Sequence, residues 1–116
     1  MKTAEIKEYR KLSAKELGLE LIDGRVVIRN KSGKEMKNAY NAKGMWEPDQ
    51  DANQMLMVWK WLNKRIDLTI EWLPLSEKWN ISLYAKHGSY AFPDGTDADI
   101  KLATMKAFIR YNNSPQ

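Results

Sequence analysis

Residues 46–64, WEPDQDANQMLMVWKWLNK, limit what this chain can fold into more than any other stretch. Pro48 suits the entry to a helix, Asp49 is placed as its N-cap, and Asp51 falls in the first turn, where a carboxylate meets the positive end of the helix dipole. Ala52, Met55, Leu56, Trp59 and Leu62 then recur with helical period, while Met57, Val58 and Trp61 lie off that stripe. A surface helix is apolar on one side only. One that is apolar most of the way round is covered on two sides, or covered on one and presented to a partner. A small domain closed over this helix is the expectation, with Met57 and Trp61 on the side open to a partner or to a second copy of the chain.

The flanking sequence supplies strands and two more helices. Residues 3–17 have Ile6, Tyr9, Leu12 and Leu17 toward a core and Lys7, Lys11 and Lys15 at four-residue spacing on another face, and Gly18 is placed to end that helix. LELI and RVVI, joined by Asp23 and Gly24, carry the strongest short hairpin signal, with Leu19, Leu21, Val26 and Ile28 sharing one face. Residues 30–45 are polar, basic and glycine-bearing, and read as a loop or a poorly formed strand with one. Beyond the central helix, Ile66, Leu68, Ile70 and Trp72 alternate with polar residues, and Trp79, Ile81 and Leu83 do so again after the turn PLSEK. HGSYAFPDGT is a loop that continues as a short edge strand through Tyr90 and Phe92. Thr96 or Asp97 caps a last helix with Ile100, Ala103, Thr104, Ala107, Phe108 and Tyr111 on one face.

The order helix, hairpin, helix, hairpin, helix predicts an α+β fold, an antiparallel sheet of two hairpins with helices packed on it. One domain over residues 1–116 is expected, with a basic loop at about 30–45 and a tail frayed from about 112. A composition of 43% hydrophobic and 29% charged residues is that of a folded globular chain and unlike a disordered one. No apolar run approaches the roughly 18 residues of a membrane span, and the N-terminus lacks the apolar stretch of a secretory signal, so a cytoplasmic location is expected. The chain has no cysteine, which removes disulfides, thiol nucleophiles and thiolate zinc sites. The net charge of +4 is uneven: eleven Lys or Arg face six acids up to Lys43, and eight face nine afterwards.

Chemistry-bearing patterns are few, and no catalytic, cofactor-binding or metal-ligating residue is assigned. His87 is the single histidine, with no cysteine or metal-ligand partner beside it in sequence. Asp49, Asp51, Asp94, Asp97 and Asp99 stand before helices, where capping accounts for them and a hard cation is the rival reading. Arg25, Arg29, Lys31, Lys34, Lys37 and Lys43 suit a phosphate backbone, and Tyr40 suits stacking on a base. Lysine outnumbers arginine, which weighs against bidentate recognition. Five tryptophans are many for 116 residues, and exposed Trp and Met beside basic residues are what a protein-binding surface uses.

The run YNAKGMWEPDQDANQ, a polar approach to an aromatic and a proline before an aspartate-started helix, resembles small phage proteins with an ABA-sandwich domain and, more loosely, NinX-like phage proteins. Trp79 in a second strand and a closing helix with Asp97, Asp99, Ala103 and Ala107 extend the resemblance over residues 40–111, while Lys101, Met105 and Lys106 depart from it. It implies a phage origin and action in the host cytoplasm, without supplying an activity. The function expected is non-catalytic binding of a host protein, including inhibition of a host anti-phage defence complex, through Arg25, Arg29, Lys31, Lys34, Lys37, Tyr40, Lys43, Met57 and Trp61. Two alternatives stand beside it: nucleic-acid binding by the basic hairpin and loop, and a small-ligand or enzyme site near His87, Tyr90 and residues 94–99.

Overall fold

The computed structural model describes residues 2–29, 31–36, 44–86 and 91–114. The elements are α1 (Lys2–Glu16), β1 (Glu20–Ile22), β2 (Arg25–Arg29), β3 (Glu35–Met36), α2 (Ala52–Arg65), β4 (Asp67–Leu73), β5 (Lys78–Tyr84), β6 (Gly95–Asp97) and α3 (Ile100–Asn113). The fold class is α+β, with three helices and antiparallel strands. The strands form two three-stranded sheets, β1-β2-β3 and β4-β5-β6, where one sheet was expected. Alternation sets which face of a strand is buried and says nothing of which strands are neighbours. The chain divides into two compact units, Met1–Glu47 and Pro48–Gln116.

In the first unit, Gly18 ends α1 as the sequence requires. At φ 76° it donates its N–H to the Lys15 carbonyl while Leu19 donates to Ala14, the paired bonds of a Schellman motif. The hairpin also follows the sequence. Asp23 and Gly24 have φ 54° and 79°, the positive pair that a two-residue turn of matching twist demands, and Leu21 lies opposite Val26 on the expected face. Glu35 and Met36 add a two-residue strand opposite Arg29 and Ile28. On the same side of β2 the backbone of residues 44–46 returns, with Val26 N–H donating to Gly44 and Trp46 N–H to Gly24. That return delivers the Trp46 indole to α1, where Nε1 donates to the Ser13 hydroxyl at 2.9 Å, both groups being buried. Trp46 therefore belongs to the core of the first unit with Tyr9, Ala14 and Val26, and not to the central helix.

In the second unit β5 is the middle strand. Its Ile81 and Leu83 are fully buried under α3, which supplies Ala103, Met105, Ala107, Phe108 and Tyr111. Full burial of a side chain of this kind stabilises by about 1.5–3 kcal/mol relative to leaving it in water. The β4–β5 register pairs Leu68 with Leu83, Ile70 with Ile81 and Trp72 with Trp79, the alternation read from the sequence. β6 had no such signal, since Gly95, Thr96 and Asp97 do not alternate; it pairs with Ile81, Asn80 and Trp79 of β5. Gly95 sits where α3 crosses closest, and a Cβ there would meet the Ala103 carbonyl and the Ala107 amide.

Three expectations about helices are corrected. The buried residues of α2 are Gln54, Met55, Val58 and Leu62, so Val58 belongs to the core, while Ala52 and Leu56 of the expected stripe are exposed. The N-cap is Asp51, whose carboxylate accepts from Gln54 N–H at 3.1 Å, while Asp49 is buried two residues earlier. The N-cap of α3 is Asp99, not Thr96 or Asp97; it accepts from Lys101 N–H at 2.8 Å, and Asp97 in turn accepts from Asp99 N–H at 2.9 Å. α3 runs to Asn113.

Candidate functional site

The basic set divides. Arg25 is exposed at the start of β2, Lys31 and Lys34 are exposed in the turn after it, and Arg29 closes the strand. Lys37, Tyr40 and Lys43 lie outside the described residues, as do His87 and Tyr90. A second basic surface is better defined. Lys7, Arg10, Lys11 and Lys15 of α1 line a groove of about 640 Å³ with Leu19 and Leu21 on its apolar side. Arg10 makes an ion pair with Glu47 at 3.6 Å. The four-residue spacing of the lysines pointed to a shared face; the apolar wall comes from Leu19 and from Leu21 of β1, which that spacing could not show.

The acidic cluster near residues 94–99 is occupied by structural work. Asp97 accepts from Asp99 N–H and pairs with Lys106 Nζ at 2.9 Å, Asp99 caps α3 and lies 3.3 Å from Lys101 Nζ, and the Asp94 carboxylate accepts from Asn80 Nδ2 at 3.2 Å. The Asp94 carbonyl also accepts from Arg110. Among the described residues no three His, Cys, Asp or Glu side chains come together as a metal site.

Met57 and Trp61, four residues apart on α2, face different surroundings. Trp61 is half-buried against α3, its ring 5.6 Å from Phe108 and 6.2 Å from Tyr111, with the Arg65 guanidinium stacked 4.0 Å over it. Its role is to join two helices. Trp59 does the same, donating its Nε1–H to Thr104 Oγ1 at 2.8 Å. Met57 instead lines an open groove of about 520 Å³ with Asn53, Leu56, Lys60 and Leu68. Leu56 is 43% exposed beside it. Leu56, Met57, Trp59 and Leu68, edged by Lys60, Asn53 and Asn63, offer a slot for an apolar side chain. Helical periodicity assigned Leu56 to the core, so it could not mark this surface.

Strand β4 carries two further exposed apolar residues, Ile70 at 37% and Trp72 at 44%, although the cross-strand partner of Ile70, Ile81, is fully buried. Leu75 at the hairpin tip is fully exposed. The alternation in β4 signalled a buried face, and β4 lies at the border of its sheet. No protein-family model matches the chain, and no curated protein or solved structure is significantly similar to it.

Proposed function

We propose that this protein acts without catalysis, by binding another protein through the groove on the outer side of α2. The observation that carries the reading is the open aliphatic slot formed by Leu56, Met57 and Leu68, with Leu56 held exposed on a helix whose opposite side is firmly packed. A rigid helix presenting Leu and Met beside Lys60 is suited to receive an apolar anchor from a partner and to exclude water around it. The resemblance of residues 40–111 to phage proteins makes a protein of the host cytoplasm the partner, a component of an anti-phage defence complex being the specific form of the reading.

The test is capture of the tagged chain's partner from a nuclease-treated bacterial lysate at low and moderate salt, beside Leu56→Asp and Met57→Asp variants checked for native circular dichroism. A discrete protein retained by the native chain and lost from both folded variants supports the reading. Equal retention by the variants would move the docking surface elsewhere. The α1 groove favours a second reading, binding of nucleic acid, because four cations converge there; its mark is affinity that falls steeply with salt and is lost on Lys7→Glu and Lys11→Glu.

A further inference from the structure

From the open edge of β4 we infer that the chain forms a symmetric homodimer in which β4 pairs antiparallel with β4 of a second copy, Ile70 opposite Ile70, joining two three-stranded sheets into one of six strands. β4 is the border strand of its sheet, and all seven of its residues pair with β5 along one side without a bulge. Among the described residues nothing pairs along the other side. Such an edge presents a row of N–H and C=O groups, and chains that avoid self-pairing blunt it with proline, charged side chains (lysine above all), a bulge or a short strand. DLTIEWL has no proline, lysine or bulge and runs seven residues. Its only charges, Asp67 and Glu71, are both negative and therefore make the register selective.

Side chains directly opposite in an antiparallel pair share a face, so a two-fold pairing keeps Leu68, Ile70 and Trp72 together only when the axis passes through a residue. With Thr69 on the axis, Asp67 would oppose Glu71. With Glu71 on the axis, the two glutamates would oppose each other. Centring on Leu68 or Trp72 leaves only a short overlap. With Ile70 on the axis all seven residues pair, Leu68 opposes Trp72, Thr69 opposes Glu71, Asp67 opposes Leu73, and no carboxylates meet. This register also accounts for the exposure of Ile70 and Trp72 beside a buried β5. Trp72, with Trp79 at 5.1 Å on one side, gains Leu68 of the second copy on the other. The inference shares Leu68 with the α2 groove but not Leu56 or Met57, and it is tested on the purified chain alone, whereas the groove reading is tested with a partner.

The natural chain has no cysteine, so one introduced thiol reports the register without interference. Ile70→Cys should give a covalent dimer on mild oxidation or with a short bis-maleimide. Thr69→Cys and Glu71→Cys should each give little alone and a covalent dimer when mixed. Sedimentation equilibrium of the uncut native chain should show a concentration-dependent dimer. Thr69→Glu, which sets two pairs of carboxylates opposite each other at an exposed site, should weaken it about tenfold, and Thr69→Lys should tighten it severalfold. A native chain that stays monomeric throughout, or cross-linking by Thr69→Cys alone as readily as by Ile70→Cys, would overturn the proposal.

Discussion

The two units share a plan and differ in what enforces it. Each begins with a helix that leads into three antiparallel strands in sequential order, yet the strands run 3, 5 and 2 residues in the first and 7, 7 and 3 in the second. The first hairpin turns on two residues of positive φ, Asp23 and Gly24. The second turns over a longer tip ending at Glu77, and its middle strand is covered by α3. Turn chemistry fixes the short hairpin, whereas burial under a helix fixes the long one. Substitutions that separate these two causes should therefore cost very different amounts in different units.

The largest effect is expected at Gly95. Alanine there would drive its Cβ into the backbone of Ala103 and Ala107, and helix backbone cannot yield as a side-chain end can. Gly95→Ala should cost about 3 kcal/mol or more and strip β6 from the sheet, seen as a collapse of the urea midpoint followed by tryptophan fluorescence. The corresponding blow to the first unit is Trp46→Ala. It removes a buried indole and leaves the Ser13 hydroxyl without that donor, at a cost of about 3–5 kcal/mol. Trp46 is the only tryptophan before Pro48, so its fluorescence follows the first unit, and the Trp46→Phe background follows the second through the other four. Gly95→Ala should leave the Trp46 environment less disturbed than that of Trp59 and Trp61.

Gly24→Ala is the intermediate case and tests the turn itself. Its φ of 79° is costly for any residue with a Cβ, and that Cβ would stand 2.9 Å from Met45 Cε, the movable end of a side chain. A loss of about 1–2 kcal/mol is expected in unfolding followed by Trp46, with no change in the second unit's signals. Asp51→Ala should cost about 1 kcal/mol through the amide it leaves uncapped at Gln54, and Asp51→Asn should recover most of it.

What was legible in the sequence was local. Asp23 and Gly24 announce their hairpin, and Gly18 its helix end, because each property resides in one or two residues. Strand alternation likewise put Ile70 and Ile81 on the apolar faces of their own strands, and the structure pairs the two. The inward side of α2 was not legible: polar Gln54 is buried and apolar Leu56 is exposed, so the packing of the unit outweighs the stripe. The same applies to the candidate sites. Met57 was singled out and lines a groove, but Leu56 and Leu68 beside it had been given to the core, and the exposure of Trp72 goes with the place of β4 at the border of its sheet. Trp61, read as presented outward, is half-buried between Arg65, Phe108 and Tyr111.

The smallest expected effect sharpens the comparison most. Leu75 stands at the tip of the long hairpin with its side chain wholly in solvent, so Leu75→Ser gives up no buried surface. If cover and not turn chemistry holds that hairpin, the substitution should move the unfolding free energy by no more than about 0.5 kcal/mol. Gly24→Ala, an exchange of a single hydrogen for a methyl group at the other tip, should cost several times more. A Leu75→Ser loss as large as that of Gly24→Ala would mean that both tips carry the pairing of their strands. The long hairpin would then owe its seven-residue register to its turn, as the short one does, and the helix above it would only decorate a structure already formed.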